Sequence, residues 1–376
     1  MRIVINRSDA IGDTLLTLPM GKLLKMQFPN AHLIFIISPK CKDLFLCHPF
    51  VDEVWISDEK QTLARRCYEL IKKFRCHRPD VYLHVGGGHL PSAVAWLLRV
   101  PHRGGLISKI PSFIFLNQGL RQPRSMVVMH EMEYNLNLLQ SIGIKYNAKQ
   151  WQELTKGLIC LSHEERENSR QLLKVELEQQ NMPSEKEYIV IHPGMTGHTL
   201  NWSSRNYGRL IVKIEDSFPG RFNFIVSCTQ SDGPYLEGLK DHLSREEFGH
   251  IKSNVFFLDG GKLGLRHTIN VIAGAKLFVG PSTGPTHLAS ILNIPLVAIY
   301  SPIKVQSAKR WGPLEREHEK LRIAVPDVVC GETFKCAGMT CPYFECMAKI
   351  EVDDVYQEVR DLLLGAEERI AIEKRG

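Results

Sequence analysis

Apolar runs of strand length alternate with helix-length amphipathic segments, twice over, along this chain of 376 residues. No other feature limits the fold as tightly, because strands separated by helices form βαβ units, and such units build parallel sheets. In the first half the strand-like runs are Arg2–Ile5, His32–Ile37, Val54–Ile56 and Val81–Val85. Asp13 to Met26 has a helical pattern between the first two runs. Gln61 to Cys76 sets Leu63, Cys67, Leu70, Ile71 and Phe74 on one helical face. A second alternation follows, with Tyr188–His192, Phe222–Val226, Val255–Leu258, Leu277–Gly280 and Leu296–Tyr300 as strands.

The bridge between the two alternations is polar. Ser162 and Glu165 form a capping-box signature ahead of a charged helix, which Asn181-Met182-Pro183-Ser184 ends. The expected division is an N-terminal domain over 1–180, including a linker helix from about 162, and a C-terminal domain over 181–350. The segment 351–376 opens with an amphipathic helix, Val352 to Leu364. A length beyond one hydrophobic core agrees with two domains, and two doubly wound α/β domains in tandem leave a cleft at the carboxyl ends of their strands.

Composition narrows the class. With 44% hydrophobic and 23% charged residues the chain reads as soluble and globular. Its apolar runs fall short of the roughly 20 residues of a membrane span. Met1-Arg2-Ile3-Val4-Ile5-Asn6 reads as a buried strand instead of an export signal. A cytoplasmic protein with reduced thiols is therefore expected, despite its ten cysteines. The net charge of +6 favours anionic partners in general.

Three strand-ending loops carry the candidate chemistry. In Gly12-Asp13-Thr14, Gly12 permits a turn and Asp13 opens a helix. The plainer reading of Asp13 is an N-cap; the functional one is a general base that takes a proton from an incoming hydroxyl. In Gly280-Pro281-Ser282-Thr283-Gly284-Pro285-Thr286-His287, the helix start and its hydroxyls suit a phosphate. A plain strand-to-helix turn, with His287 bonded to a carbonyl, is the alternative. His192-Pro193-Gly194-Met195-Thr196-Gly197-His198 is an amide-rich loop fit to wrap a diphosphate. No Gly-x-Gly-x-x-Gly follows the first strand and no P-loop is present, so a nicotinamide oxidoreductase is disfavoured.

These motifs, in this order, resemble the heptosyltransferases of glycosyltransferase family 9, which are inverting enzymes of the GT-B fold. The resemblance is carried by Gly12-Asp13 with Leu18-Pro19, by His130-Glu131 ahead of Leu136, Leu138, Leu139 and Gly143, by His192-Pro193-Gly194 with Trp202, and by Ser282-Thr283-Gly284-Pro285 with His287-Leu288. It implies two Rossmann-like domains facing across a cleft, with the terminal helix packing back on the N-terminal one. It also implies transfer of heptose from ADP-heptose to the lipopolysaccharide inner core, onto a Kdo or heptose acceptor. Asp13 would be the base. Gly194, Thr196, Trp202, Lys262, Ser282, Thr283, Gly284 and His287 would bind the donor, and Arg7, Gly12, Arg121 and Arg124 the acceptor. No divalent metal is implied, and the partners would be the nucleotide sugar, lipid A-linked core and the inner face of the cytoplasmic membrane, with no nucleic acid.

The chain departs from the family pattern at Leu200, where a lysine usually precedes the tryptophan by two residues, and at Ser282, often acidic. Lys262 or His198 would have to supply the missing charge. A relative with a different nucleotide-sugar donor, a nucleotide-sugar epimerase and a catalytically silent nucleotide-sugar-binding protein therefore stay open. Arg65, Arg66, Lys72, Lys73, Arg75 and Arg78 read first as a solvated helix face and second as an attraction to anionic head groups. Cys330, Cys336, Cys341 and Cys346 read as packed reduced thiols, then as structural zinc, then as a disulfide.

Overall fold

The computed structural model describes residues 1–195, 197, 199–314, 319–331 and 335–364. Among them the chain divides into two compact units, Met1–Cys160 and the residues from Leu161 onward.

The first unit is built on β1 (Arg2–Arg7), β2 (His32–Ile37), β3 (Glu53–Ile56), β4 (Val81–Gly86), β5 (His102–Leu106) and β6 (Gln118–Leu120). They form a parallel sheet in the order β3-β2-β1-β4-β5-β6. Ile3, Val4 and Ile5 of the central β1 are wholly buried, as continuous apolar runs must be when helices cover both sheet faces. β5 and β6 escape the sequence pattern because His102-Arg103-Gly104-Gly105-Leu106 is polar and glycine-rich, and β6 has three residues.

The expected single helix from Asp13 to Met26 is two, Ile11–Leu15 and Leu18–Gln27. The break falls at Leu16-Thr17, just before Pro19. The Leu16 carbonyl freed there accepts from Asn135 Nδ2 at 3.1 Å, so the interruption leaves no orphaned acceptor.

The second unit repeats the plan with β7 (Glu187–Ile191), β8 (Phe222–Cys228), β9 (Val255–Asp259), β10 (Leu277–Pro281), β11 (Leu296–Ile299) and β12 (Leu321–Ala324). Their parallel order is β12-β11-β10-β7-β8-β9. Both units are α/β, as the alternation requires.

The capping box forms, with Glu165 N donating to Ser162 Oγ at 3.1 Å and Ser162 N to Glu165 Oε2 at 2.9 Å. Its helix, His163–Gln179, belongs to the second unit and not to an N-terminal domain reaching residue 180. Arg266 clamps Glu165 through two bonds of 2.7 and 3.0 Å, and Ser169 Oγ lies 2.9 Å from His267 Nδ1. Leu173 and Leu177 are buried beside them.

The resemblance implies that the terminal helix, Val352–Leu363, packs on the N-terminal half. Its buried face, Val355, Tyr356, Val359 and Leu363, instead joins the second unit's own core, against the helix Ser204–Ser217 and the strands β10 and β11. Residues 365–376 lie outside the described residues.

Trp202 ties these parts together. It is buried in the same core, packs edge-on to Tyr207 with ring centroids 5.1 Å apart, and donates from Nε1 to the Ile350 carbonyl at 2.8 Å. Trp202→Phe would keep the ring contact but leave that carbonyl without its donor. A loss of about 1–3 kcal/mol is expected, read as a lower urea midpoint at unchanged slope. An unchanged midpoint would show that the bond contributes nothing.

Candidate active site

In each unit the strand order reverses once, between β1 and β4 and between β10 and β7, and ligands of open parallel sheets bind beside such points at the carboxyl edge. The sequence-selected loops follow β1, β7 and β10, so they sit at those places.

β1 ends on Arg7, whose side chain is only 5% exposed. A buried guanidinium needs compensation, and three groups supply it. Nε pairs with Asp9 Oδ1 at 2.9 Å, Nη2 pairs with Asp13, and Nη1 donates to the Val85 carbonyl at 3.3 Å. Burial alone would depress the Arg7 pKa, but Asp13, Asp9 and Glu131 outweigh it and hold it above its ordinary value. Burial also raises the Asp9 carboxyl, against the pull of Arg7.

Asp13 is the third residue of Ile11–Leu15, whose N-cap position is Ala10. It is therefore no N-cap, and Gly12 lies inside the helix instead of making a turn. The Asp13 carboxylate is committed to Arg7 while staying 22% exposed, reachable from solvent.

The β4 loop closes over this group. Asn6 Nδ2 donates to the Gly86 and Gly88 carbonyls at 3.1 and 3.2 Å. Gly87 has φ +84°, and a Cβ there would lie 2.3 Å from Ser8 Oγ, so the loop approaches β1 as only glycine permits. His84 is buried beside Asn6, with Ser92 Oγ 3.4 Å from its Nδ1 and the ring of His89 4.7 Å away. Burial, reinforced by the positive charges of His89, Arg7, Lys109 and Arg124, lowers its pKa to about 3.

Of the expected acceptor residues, Arg7 and Gly12 therefore stand with Asp13. Arg7 is a buried strand end and no loop residue. Arg124 is paired with the buried Glu131 and packs over the Tyr134 ring, with its guanidinium 5.5 Å from the centroid. Arg121 is exposed and lies over Phe113 at 5.4 Å. Asp9 carries no periodic or motif signal, Glu131 belongs to the His130-Glu131 motif without a stated partner, and only the folded chain reveals both as partners of these arginines.

In the second unit the loop after β7 begins with His192, buried and 3.0 Å from the Ser227 carbonyl through Nδ1. Burial lowers its pKa, with Asp232 opposing. Gly194 packs so closely on Asp232 that a Cβ would lie 2.5 Å from its carboxyl carbon. Asn201 Nδ2 donates to the Pro193 carbonyl at 2.8 Å, and Thr199 Oγ1 to Ser301 Oγ at 2.9 Å, joining this loop to the end of β11. Thr196 and His198 lie outside the described residues.

After β10, Ser282 is buried and bonded to Tyr300, and Thr283 is the N-cap of the helix Gly284–Ile291. The Thr283 hydroxyl donates to the Pro281 carbonyl at 3.4 Å and accepts no capping bond from the first turn of the helix, so the Gly284 amide has no side-chain cap. His287 is the buried fourth residue of that helix. Lys262 follows β9 with its side chain 83% exposed, 3.9 Å from Asp259.

Trp202, expected at the donor, is a core residue whose indole N–H is engaged by Ile350. Leu200 is half-buried against the same core and brings no charge.

Cys330, Cys336, Cys341 and Cys346 border a cavity of about 790 Å³ that Leu200 and Asn201, at the end of the loop after β7, also line. Burial and the neighbouring thiols raise the pKa of Cys330 and Cys346. Among the described residues no three His, Cys, Asp or Glu side chains are grouped to hold a metal ion, so the zinc alternative finds no assembled ligand set. All ten cysteines are described and none forms a disulfide, which corrects that alternative.

The family model for glycosyltransferase family 9 (heptosyltransferase) matches residues 67–337. A Haemophilus influenzae protein with a provisional glycosyltransferase name is 26% identical over 326 residues, covering 86% of this chain and 89% of that protein. Lipooligosaccharide heptosyltransferase 2 of the same species is 22% identical over 312 residues, covering 81% and 85%. Among solved structures, E. coli ADP-heptose lps heptosyltransferase II matches with a TM-score of 0.74 at 22% identity, over 98% of this chain and 100% of that one. E. coli heptosyltransferase WaaC with ADP matches with a TM-score of 0.65 at 18% identity, over 96% and 100%. At these identities the structural likeness establishes the fold, the two-domain α/β arrangement of the GT-B enzymes.

The lowered His84 value makes stability depend on pH. Below the ordinary pKa near 6.5 the unfolded chain takes up a proton that folded His84 refuses until about pH 3. Its contribution is complete above pH 6.5 and declines as pH falls, by up to about 1.4 kcal/mol per unit. His48, which burial lowers to about 4, acts in the same direction. Urea midpoints should fall from pH 7 to pH 5, and less steeply in His84→Gln; equal slopes in the two proteins would refute the assignment.

Proposed function

This chain belongs to glycosyltransferase family 9 and is a glycosyltransferase, and from that premise we propose that it transfers heptose from ADP-heptose, with inversion, to a Kdo or heptose of the lipopolysaccharide inner core. One observation carries the reading: Asp13 is a solvent-reachable carboxylate held beside β1 at the strand-order reversal by a buried arginine.

In the proposed step Asp13 takes the proton of an acceptor hydroxyl. The oxygen attacks the anomeric carbon from the face opposite the diphosphate, the bond from that carbon to the diphosphate oxygen breaks, and ADP leaves with the electron pair. Arg7 makes this tolerable for a buried charge. When Asp13 becomes neutral, Asp9 remains on the guanidinium at 2.9 Å, so the arginine is never left uncompensated.

On the donor side, the amides at Gly284 and the loop around Gly194 would receive the departing diphosphate. Ser282, Thr283 and His287 would line that place, with Lys262 at its outer edge. Thr196 belongs to the same reading. These groups supply hydrogen bonds and a helix dipole, and the step as written needs no divalent metal. A lipid-linked core sugar as acceptor would bring the enzyme to the inner face of the cytoplasmic membrane.

A second reading, a different nucleotide-sugar donor or donor binding without turnover, draws on Leu200, which puts an apolar group where the family's lysine would stand. Retention of Asp13 favours the catalytic reading, since donor binding alone needs no base.

ADP release on mixing the protein with ADP-heptose and deacylated core acceptors tests the proposal. Asp13→Asn should lower acceptor-dependent turnover by about 10²–10⁴-fold while leaving ADP-heptose affinity unchanged. Turnover undiminished in Asp13→Asn would remove the base. Absence of ADP-heptose binding to the wild type would favour the different-donor reading.

A further inference from the structure

The first unit exposes apolar side chains that its own core does not use. On the helix Ile110–Phe115, Ile110, Phe113 and Ile114 are 77%, 49% and 57% exposed; on the neighbouring helix Leu90–Leu97, Trp96 and Leu97 are 47% and 58% exposed. The two helices pack together, and the rings of Trp96 and Phe115 lie 5.8 Å apart, so the patch is continuous. Contiguous exposed apolar surface of this kind marks an interaction site.

The charge around the patch says what it meets. From Val81 to His130 the chain has no aspartate or glutamate, yet it carries Arg99, Arg103, Lys109, Arg121 and Arg124. Outside that stretch acids and bases balance, 41 against 42, the five bases of the stretch being taken from a total of 47. Arg99, Lys109 and Arg121 are exposed beside the patch. Aromatic and aliphatic side chains with cations at their margin, in a stretch of chain free of acids, match the boundary of an anionic bilayer, where rings enter the acyl edge and cations meet phosphates. A second copy fits poorly, because self-association would set this cationic rim against itself.

We propose that this face, centred on Ile110, Ile114 and Trp96, docks the protein on an anionic phospholipid bilayer. Ile110 follows β5 closely, at the carboxyl edge of the sheet that carries Asp13. Docking there brings a lipid-anchored acceptor to the same edge as the base. Only that consequence rests on the acceptor reading above; the affinity for lipid stands apart from it.

The test is flotation of the full chain with vesicles of phosphatidylethanolamine and phosphatidylglycerol, compared with vesicles of phosphatidylcholine alone. The wild type should float with the anionic vesicles and release as salt is raised. Ile110→Glu/Ile114→Glu should weaken binding by at least about tenfold, by removing apolar insertion and adding repulsion. Arg99→Gln/Lys109→Gln should weaken it and flatten its salt dependence. Both variants replace exposed side chains, and circular dichroism checks that they stay folded. Equal flotation of wild type and Ile110→Glu/Ile114→Glu, or no flotation of either, would overturn the proposal. So would concentration-dependent self-association that the same substitutions abolish, which would make the face a subunit interface. Turnover on the deacylated acceptor should persist in both variants. Its absence from the wild type would overturn the proposed reaction and leave the flotation result standing.

Discussion

Parallel strand pairing is the constraint on which the molecule depends. Each strand must return by a crossover before the next can pair alongside it, so the loops that leave the strands collect at one edge of each sheet. Strand order then reverses once, beside β1 in the first unit and beside β7 in the second. At such a reversal adjacent loops diverge to opposite faces and open a crevice whose amides and side chains lack strand partners. Arg7 to Asp13, Gly86 to Gly88, His192 to Met195 and Ser282 to His287 all occupy that kind of position.

Within the first crevice the controlling fact is a buried positive charge. Arg7 is held by two carboxylates and a carbonyl, which excludes water from it and fixes the Asp13 side chain in place. One partner is reachable from solvent, while burial raises the pKa of the other. A guanidinium with two carboxylates tolerates the neutralisation of one, whereas a simple ion pair would lose its only compensation. The second unit uses a related device in a different place: Asp232 caps the turn at Thr229, with its Oδ2 2.8 Å from both the amide and the hydroxyl, and lies against Gly194.

The elements legible from sequence are those with a strong local signal. Central strands such as His32–Ile37 match their expected bounds because burial on both faces demands an unbroken apolar run. The Ser162–Glu165 cap is a local reciprocal pair and could be read directly. β5, β6 and β12 could not: β6 and β12 are edge strands that answer to a single neighbour, and β5 is polar and glycine-rich. The packing of the helix His163–Gln179 was not legible for another reason. Its partners, Arg266 and His267, stand about a hundred residues away and have no pattern to announce them.

The sequence by itself determined the alternation, hence two parallel sheets, and the places where chemistry can gather, because loop position follows from strand direction. Tertiary structure decided what each side chain does there. It committed Arg124 to Glu131 and Trp202 to the Ile350 carbonyl, left Lys262 in solvent, and gave Arg7 its two acids. It also left Ile110 and Ile114 outside the core, where the apolar pattern alone would have buried them. The physical reason is the same throughout. Periodicity reports which residues need burial or a turn, but the compensation of a charge and the partner of a polar atom depend on groups brought together only by folding.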